Sequence, residues 1–272
     1  MTSFKQILAL HGTPRSGTTW LGQIIDSSPE VRYKYQPLFS DSFKDRIWVR
    51  SSKEDILSTF EEIYNREDEF LDREKQKQQG IHKRFVKKHL KPEYLAIKHV
   101  RYHYLIPHLL KTLNNIIVVG IVRNPCGVLN SWRKAPREFL PEYDFRKNWR
   151  FAEDQTDFKP EEYYGFHKWK ELTKLFLEMK KRFPNRFYLI RYENLAKNPF
   201  EETDKLFQFC NLSFTLQTKK FLNETTSEYQ EDTYSVFKAG KNLYDWKDEL
   251  DQDIIRIVVN ELKATEFESF LY

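Results

Sequence analysis

The sequence predicts an α/β fold in which a central parallel sheet is flanked by helices. Three observations carry that prediction. Ile116-Ile117-Val118-Val119-Gly120-Ile121-Val122 is a near-continuous β-branched run, the composition of a strand covered on both faces. Shorter apolar runs alternate along the chain with segments whose apolar residues repeat at helical spacing. That alternation is the pattern of parallel sheets, because each parallel neighbour is reached through a crossover. With 272 residues, 40% hydrophobic and 16% aromatic, the chain has ample material for a packed core and fits one domain over residues 1–272.

The elements follow in order. Ile7-Leu8-Ala9-Leu10 is the first strand, and Leu21, Ile24 and Ile25 give the next helix one apolar face. Pro29 ends that helix and keeps Ser28 extended. Val31-Arg32-Tyr33-Lys34-Tyr35 alternates as a strand, and Gln36-Pro37 opens a loop. A helix beginning near Ser51 carries Ile56, Leu57, Phe60, Ile63 and Tyr64 on one side. Residues 65–91 are heavily charged, the character of a solvated helical face. A strand over 94–100, a short helix over 105–113, the strand at 116–122 and a helix bearing Val128, Leu129 and Trp132 come next. Residues 134–160 mix aromatics, proline and charge without a period, as loops over sites do. Pro160 and two acids then open a long helix with Phe166, Trp169, Leu172, Leu175, Phe176 and Met179 inward. Residues 186–191 form a strand, Asn198 and Pro199 start a helix through Phe207, and a last helix covers residues 248–263.

The stretch that organises the chain is His11-Gly12-Thr13-Pro14-Arg15-Ser16-Gly17-Thr18-Thr19-Trp20. It joins a strand to a helix start, where backbone N–H groups and the helix dipole converge on an anion. Gly12, four residues and Gly17 fit the phosphate-loop spacing, but Thr18 stands where that motif has its lysine. The cradle is therefore P-loop-like without the cation that reaches a nucleoside triphosphate, and a cation is supplied instead by Arg15. A P-loop kinase is disfavoured on that ground. Among other classes, nucleic-acid binding is disfavoured because basic residues are interleaved with acids around a net charge of +5. No His/Cys cluster has metal-ligand spacing, and no apolar run approaches a membrane span. Two cysteines, Cys126 and Cys210, and no signal-peptide pattern suggest a reducing, cytoplasmic location.

Thr13-Pro14-Arg15-Ser16-Gly17-Thr18-Thr19-Trp20-Leu21 resembles the 5′-phosphosulfate loop of the sulfotransferases. These enzymes transfer a sulfuryl group from 3′-phosphoadenosine 5′-phosphosulfate (PAPS) and release the 3′,5′-bisphosphate (PAP). Carbohydrate-type members usually carry Arg, as here, where soluble small-molecule members carry Lys. The resemblance covers almost the whole chain and implies a PAPS-dependent sulfotransferase acting on a hydroxyl of a carbohydrate, lipid or small alcohol. A PAP-binding sensor or scaffold without transfer is the alternative. In that family an Arg and a Ser at the spacing of Arg123 and Ser131 hold the 3′-phosphate. The segment Arg191-Tyr192-Glu193-Asn194-Leu195 resembles one whose tyrosine approaches the adenine, which implies that role, or a structural one, for Tyr192. Phe237-Lys238-Ala239-Gly240-Lys241 partly matches the family's C-terminal phosphate clasp, so Lys238, Gly240 and Lys241 are candidates. The resemblance also implies that Ser16, Gly17, Thr18 and Thr19 hold the 5′ end and that Trp20 stacks on adenine. Residues 83–89 read, on this view, as a basic rim for an acidic acceptor such as a sulfated glycan.

Catalysis needs a cation where charge grows on the bridging oxygen and a base for the acceptor hydroxyl. Arg15 is the candidate cation, and the resemblance implies Lys98 as a second, since soluble members carry a Lys roughly at its place. Gln36 replaces a glutamate that carbohydrate-type members often have, and Val100 replaces the histidine of soluble members. His99 is then the nearest candidate base, although strand neighbours face opposite ways and Lys98 and His99 should not share a face. His103, Arg101 or an acid from an unassigned loop are the other options.

Overall fold

The computed structural model describes residues 2–157, 159, 162–240 and 242–272. Five strands, β1 (Gln6–His11), β2 (Val31–Tyr35), β3 (Tyr94–His99), β4 (Ile116–Val122) and β5 (Phe187–Arg191), form one sheet in the order β2-β3-β1-β4-β5. Every pairing is parallel, so all five C-terminal ends lie along one edge. Side-chain alternation divides the core between the two faces. Ile7, Ala9, Ile116, Val118 and Val122 face one cluster, and Leu8, Leu10, Ile117, Val119 and Ile121 face the other. β4 is buried along its whole length, as its composition requires.

The second cluster is covered by α1 (Thr18–Asp26) and by two later helices that supply Leu206, Phe207, Phe221 and Leu222. The first is covered by α2 (Lys53–Asn65), whose Ser52 and Asp55 form a capping box. Two short helices follow, α3 (Glu69–Asp72) and α4 (Glu74–Gln78). They replace the longer solvated helix expected there, because Arg73 between them takes a left-handed conformation, φ 56°. Next come α5 (Ile106–Thr112) and α6 (Pro125–Arg133), the latter capped by the Asn124 side chain on the N–H groups of Cys126 and Gly127.

Among its described residues, the segment after α6 holds one short helix, α7 (Phe145–Asn148). The long helix, α8 (Gly165–Arg182), starts at Gly165 rather than at Pro160, and the predicted start at Pro160 and Glu161 lies outside the described residues. Gly165 has φ 82° and lies so close to the Arg150 carbonyl that a Cβ would sit 2.7 Å from its oxygen. α8 packs on β4 where Gly120 leaves room for Phe176; a Cβ at Gly120 would sit 2.8 Å from that ring.

α9 (Tyr192–Lys197) and α10 (Pro199–Cys210) follow β5 directly. Asn198 occupies the cap position of α10, but its side chain makes no capping bond. α11 (Leu216–Ser227) has no counterpart in the sequence reading. Its inner face mixes Thr218 and Thr225 with Phe221 and Leu222, which hides the apolar period. The predicted last helix divides into a short turn, α12 (Trp246–Glu249), and α13 (Gln252–Leu262), which Asp251 caps. Cys126 and Cys210 are free and lie in different core clusters, so the fold itself keeps them from pairing. No helix among the described residues is long and apolar enough to cross a membrane.

Candidate functional site

The chain order reverses around β1: β2 and β3 lie to one side of it and β4 and β5 to the other. Such a switch point is where open α/β sheets form a ligand crevice, beyond the strand ends. The loop that follows β1 stands there. Gly12 is confined by the Thr18 methyl and Ile121, 2.7–2.9 Å from where a Cβ would lie. Gly17 caps α1 at φ 90°, and a Cβ there would meet the Tyr192 ring at 2.5 Å. Both positions therefore require glycine. Inside the turn, the Ser16 N–H donates to the Thr13 carbonyl at 3.2 Å, and the two hydroxyls meet at 2.6 Å. The first turn of α1 carries no acid, so its positive end is uncompensated.

The loop faces a cleft of about 620 Å³, within the size range of ordinary ligand pockets. Arg15, Gly17, Thr18, Thr19, Trp20, Lys98, Arg123, Ser131, Tyr192, Lys238 and Gly240 all line it. Ser16 is fully buried beneath the loop. Lys241 lies outside the described residues.

Arg123 is fixed from several sides. The Trp169 indole N–H donates to its carbonyl at 2.9 Å, and the buried Glu193 carboxylate accepts the N–H of Asn124 at 2.8 Å. The Arg123 guanidinium lies 4.7 Å from the Tyr192 ring centroid and donates to the Arg15 carbonyl at 3.2 Å. Tyr192 meets Trp20 edge-on at 6.3 Å, and the Trp20 indole donates to Thr225 at 3.2 Å. These residues make one aromatic and cationic wall.

Arg15 spans the two ends of the expected grip. Its Nε donates to Ser131 at 3.2 Å, Nη2 to the Thr233 carbonyl at 3.0 Å, and Nη1 meets Glu138 at 3.4 Å. Its backbone has φ 69°, which turns the side chain out of the loop and into the cleft. Lys238 anchors a turn through the carbonyls of Gln230 and Asp232. Gly240, φ 72°, has open space around it.

Lys98 and His99 part company as β3 alternates. Lys98 is 2% exposed, reaches Thr19 Oγ1 at 3.3 Å and lies 4.3 Å from the Tyr35 ring centroid. Burial lowers its pKa, with Tyr35 and Glu138 opposing. His99 turns to the other face, stacked on His11 at 5.0 Å, and His11 in turn meets His103 at 3.0 Å. Burial, with Lys98 adding, pushes the His99 pKa down to about 3. His99 is not on the cleft wall, and neither is His103, so the structure does not support either as the acceptor base. Gln36 and Val100 are on the wall, and neither takes a proton near neutral pH.

Among the described residues, Glu138 is the one carboxylate lining this cleft. Its Oε2 is buried with no hydrogen-bond partner. It belongs to the aperiodic segment after α6, which sequence reasoning recognised as a loop over a site without naming the residue. His82 and Tyr35 stand on the same wall, and the pKa of each is lowered. His82 is pushed down to about 3 by burial, Arg73 and Lys98. Burial raises the Tyr35 phenol, but Lys98 and Arg73 outweigh it and leave that pKa below its ordinary value.

Known proteins agree with this architecture. Human carbohydrate sulfotransferase 3 is 27% identical over 157 residues, 55% of this chain and 32% of that protein. The matched region thus spans about a third of the length of that curated relative. A mouse sulfotransferase solved with PAP superposes over 100% of this chain and 89% of its own, with a TM-score of 0.61 and 16% identity. Retinol dehydratase, solved with retinol and PAP, covers 97% of this chain and 83% of its own, with a TM-score of 0.56 and 12% identity. At those identities the two structures share a fold with this chain. Residues 8–216 match the sulfotransferase family, and the chain belongs to it.

Proposed function

We propose that the protein transfers the sulfuryl group of PAPS to a hydroxyl acceptor by direct in-line displacement. One observation carries this reading: the loop after β1, the Arg123–Ser131 pair and the Lys238–Gly240 turn open into a single cleft. A ligand phosphorylated at both ends of one nucleoside suits that arrangement. The cradle at residues 12–19 holds the 5′ end through backbone N–H groups and hydroxyls. Arg123, Ser131 and the Lys238–Gly240 turn, with Lys241 as a further candidate, hold the 3′-phosphate. Trp20 and Tyr192 flank the adenine. PAP in the two structural neighbours supports the same co-substrate.

In the transfer, the acceptor oxygen bonds to sulfur as the bond from sulfur to the bridging 5′-phosphate oxygen breaks. Lys98 and Arg15 stabilise the charge that grows on that oxygen, a difference between transition state and ground state. The acceptor proton goes to Glu138, the carboxylate among the described residues that lines the cleft. Its present partner, Arg15, is the side chain that a bound phosphosulfate would draw away, which leaves the carboxylate free to accept. We extend the proposal to a cytoplasmic location, which suits the two free, buried cysteines.

Labelled PAPS incubated with alcohols, phenols and glycans tests the reading. Label in an acceptor is the expected outcome. Tight PAP binding with no labelled product on any acceptor would instead make this a nucleotide-binding protein without transfer.

A further inference from the structure

The nucleotide occupies one end of the cleft in this reading, and the sheet order separates the other end from it. Arg123 and Tyr192 follow β4 and β5, whereas Tyr35 and Lys98 sit at the C-terminal ends of β2 and β3, and Val100 and Arg101 follow β3, across the central loop. At about 4.8 Å per strand, these groups stand two to four strand spacings apart, roughly 10–19 Å. The β2–β3 end is therefore the acceptor end.

Two guanidiniums dominate it, Arg73 and Arg101. Arg101 lies 4.0 Å from the Phe39 ring centroid and 5.7 Å from that of Tyr164, and its Nη2 donates to the Tyr164 hydroxyl at 3.2 Å. Arg73 lies 4.2 Å from the Tyr35 centroid and 6.0 Å from that of Phe70. The Nε of each is buried with no hydrogen-bond partner, and neither forms an ion pair among the described residues. Arg73 also holds a left-handed backbone, φ 56°, uncommon for a long side chain. Among the described residues, the one carboxylate on the cleft wall faces Arg15 instead. Aromatic faces can hold a guanidinium plane in place. They do not satisfy its N–H donors, and buried donors left open are costly until an anion takes them.

We propose that Arg73 and Arg101 form an anion-binding subsite for the acceptor. The substrate is then a hydroxyl compound that carries its own carboxylate or sulfate group. The neighbouring Gln76 and Gln79 add neutral amide donors to the same wall. This inference rests on the sulfotransferase reading above, since that reading assigns the nucleotide to the other end.

The experiment titrates 4-(hydroxymethyl)benzoate, its sulfonate analogue and its neutral methyl ester into PAP-loaded protein by calorimetry. It is run on the wild-type chain and on the Arg73→Gln/Arg101→Gln variant. Binding is read without turnover, and PAP affinity is measured first in each sample. The anions are expected to bind about ten-fold more tightly than the ester. In the variant that preference should vanish while PAP affinity holds within about two-fold, which also reports an intact fold. If PAP binds normally but the ester matches the anions, or the variant keeps the preference, the subsite is overturned alone. Failure of PAP to bind wild-type protein would strike the sulfotransferase reading itself.

Discussion

In the proposed transfer Glu138 takes the acceptor proton while Lys98 and Arg15 meet the growing charge, and the glutamate makes a direct prediction. Glu138→Gln preserves shape and removes the proton acceptor. The turnover number should fall by about 10²–10³, while the PAP dissociation constant changes little. Steady-state kinetics beside calorimetry check this; a parallel loss of PAP affinity would instead mark Glu138 as a counter-ion that positions Arg15. Glu138 was illegible in the sequence because nothing local distinguishes one acid in an aperiodic loop. Only the fold shows that this one reaches the cleft. His99 misled for the opposite reason. An imidazole beside a family-like lysine looks functional, yet strand alternation turns it into the core.

That core histidine has its own consequence. Its folded pKa of about 3 lies below the unfolded value near 6.5. Protons therefore bind the unfolded chain more strongly, and stability is complete above about pH 6.5 and declines as pH falls toward 3. His82, also held near 3, adds to the same slope. Melting temperature should drop steadily from pH 7 to 4, and His99→Phe should flatten part of that decline. A pH-independent melting temperature over this interval would refute it.

At the scale of elements, glycines set where helices meet strands. Gly120→Ala drives a methyl into the Phe176 ring and should cost about 1–3 kcal/mol in denaturant unfolding. Gly17→Ala strains a left-handed cap and pushes on Tyr192. Its larger effect should appear in PAP affinity, because the N–H groups of the cradle shift with it. Most elements were legible because one physical signal defined each: the apolar run of β4, the stripe of α2, the proline that opens α10. α11 escaped because threonines share its buried face with the apolar residues. The start of α8 escaped because a proline followed by acids resembles a helix opening, whereas the chain waits for Gly165 to turn against Arg150.

For the whole molecule, the parallel sheet and the place of the first loop followed from the strand–helix alternation and from one glycine-bearing turn. What the sequence could not show was the division of the cleft. That depends on strand order, which brings the ends of β2 and β3 to one side of β1 and those of β4 and β5 to the other. In the proposed complex one pocket grips both phosphorylated ends of the nucleotide. Calorimetry of PAP against AMP, on the wild-type chain and on Arg123→Ala, tests it most directly. PAP should bind about 100-fold or more tightly than AMP, and Arg123→Ala should erase most of that difference. Equal affinity for the two nucleotides on the wild-type chain would rule out a grip on the 3′-phosphate.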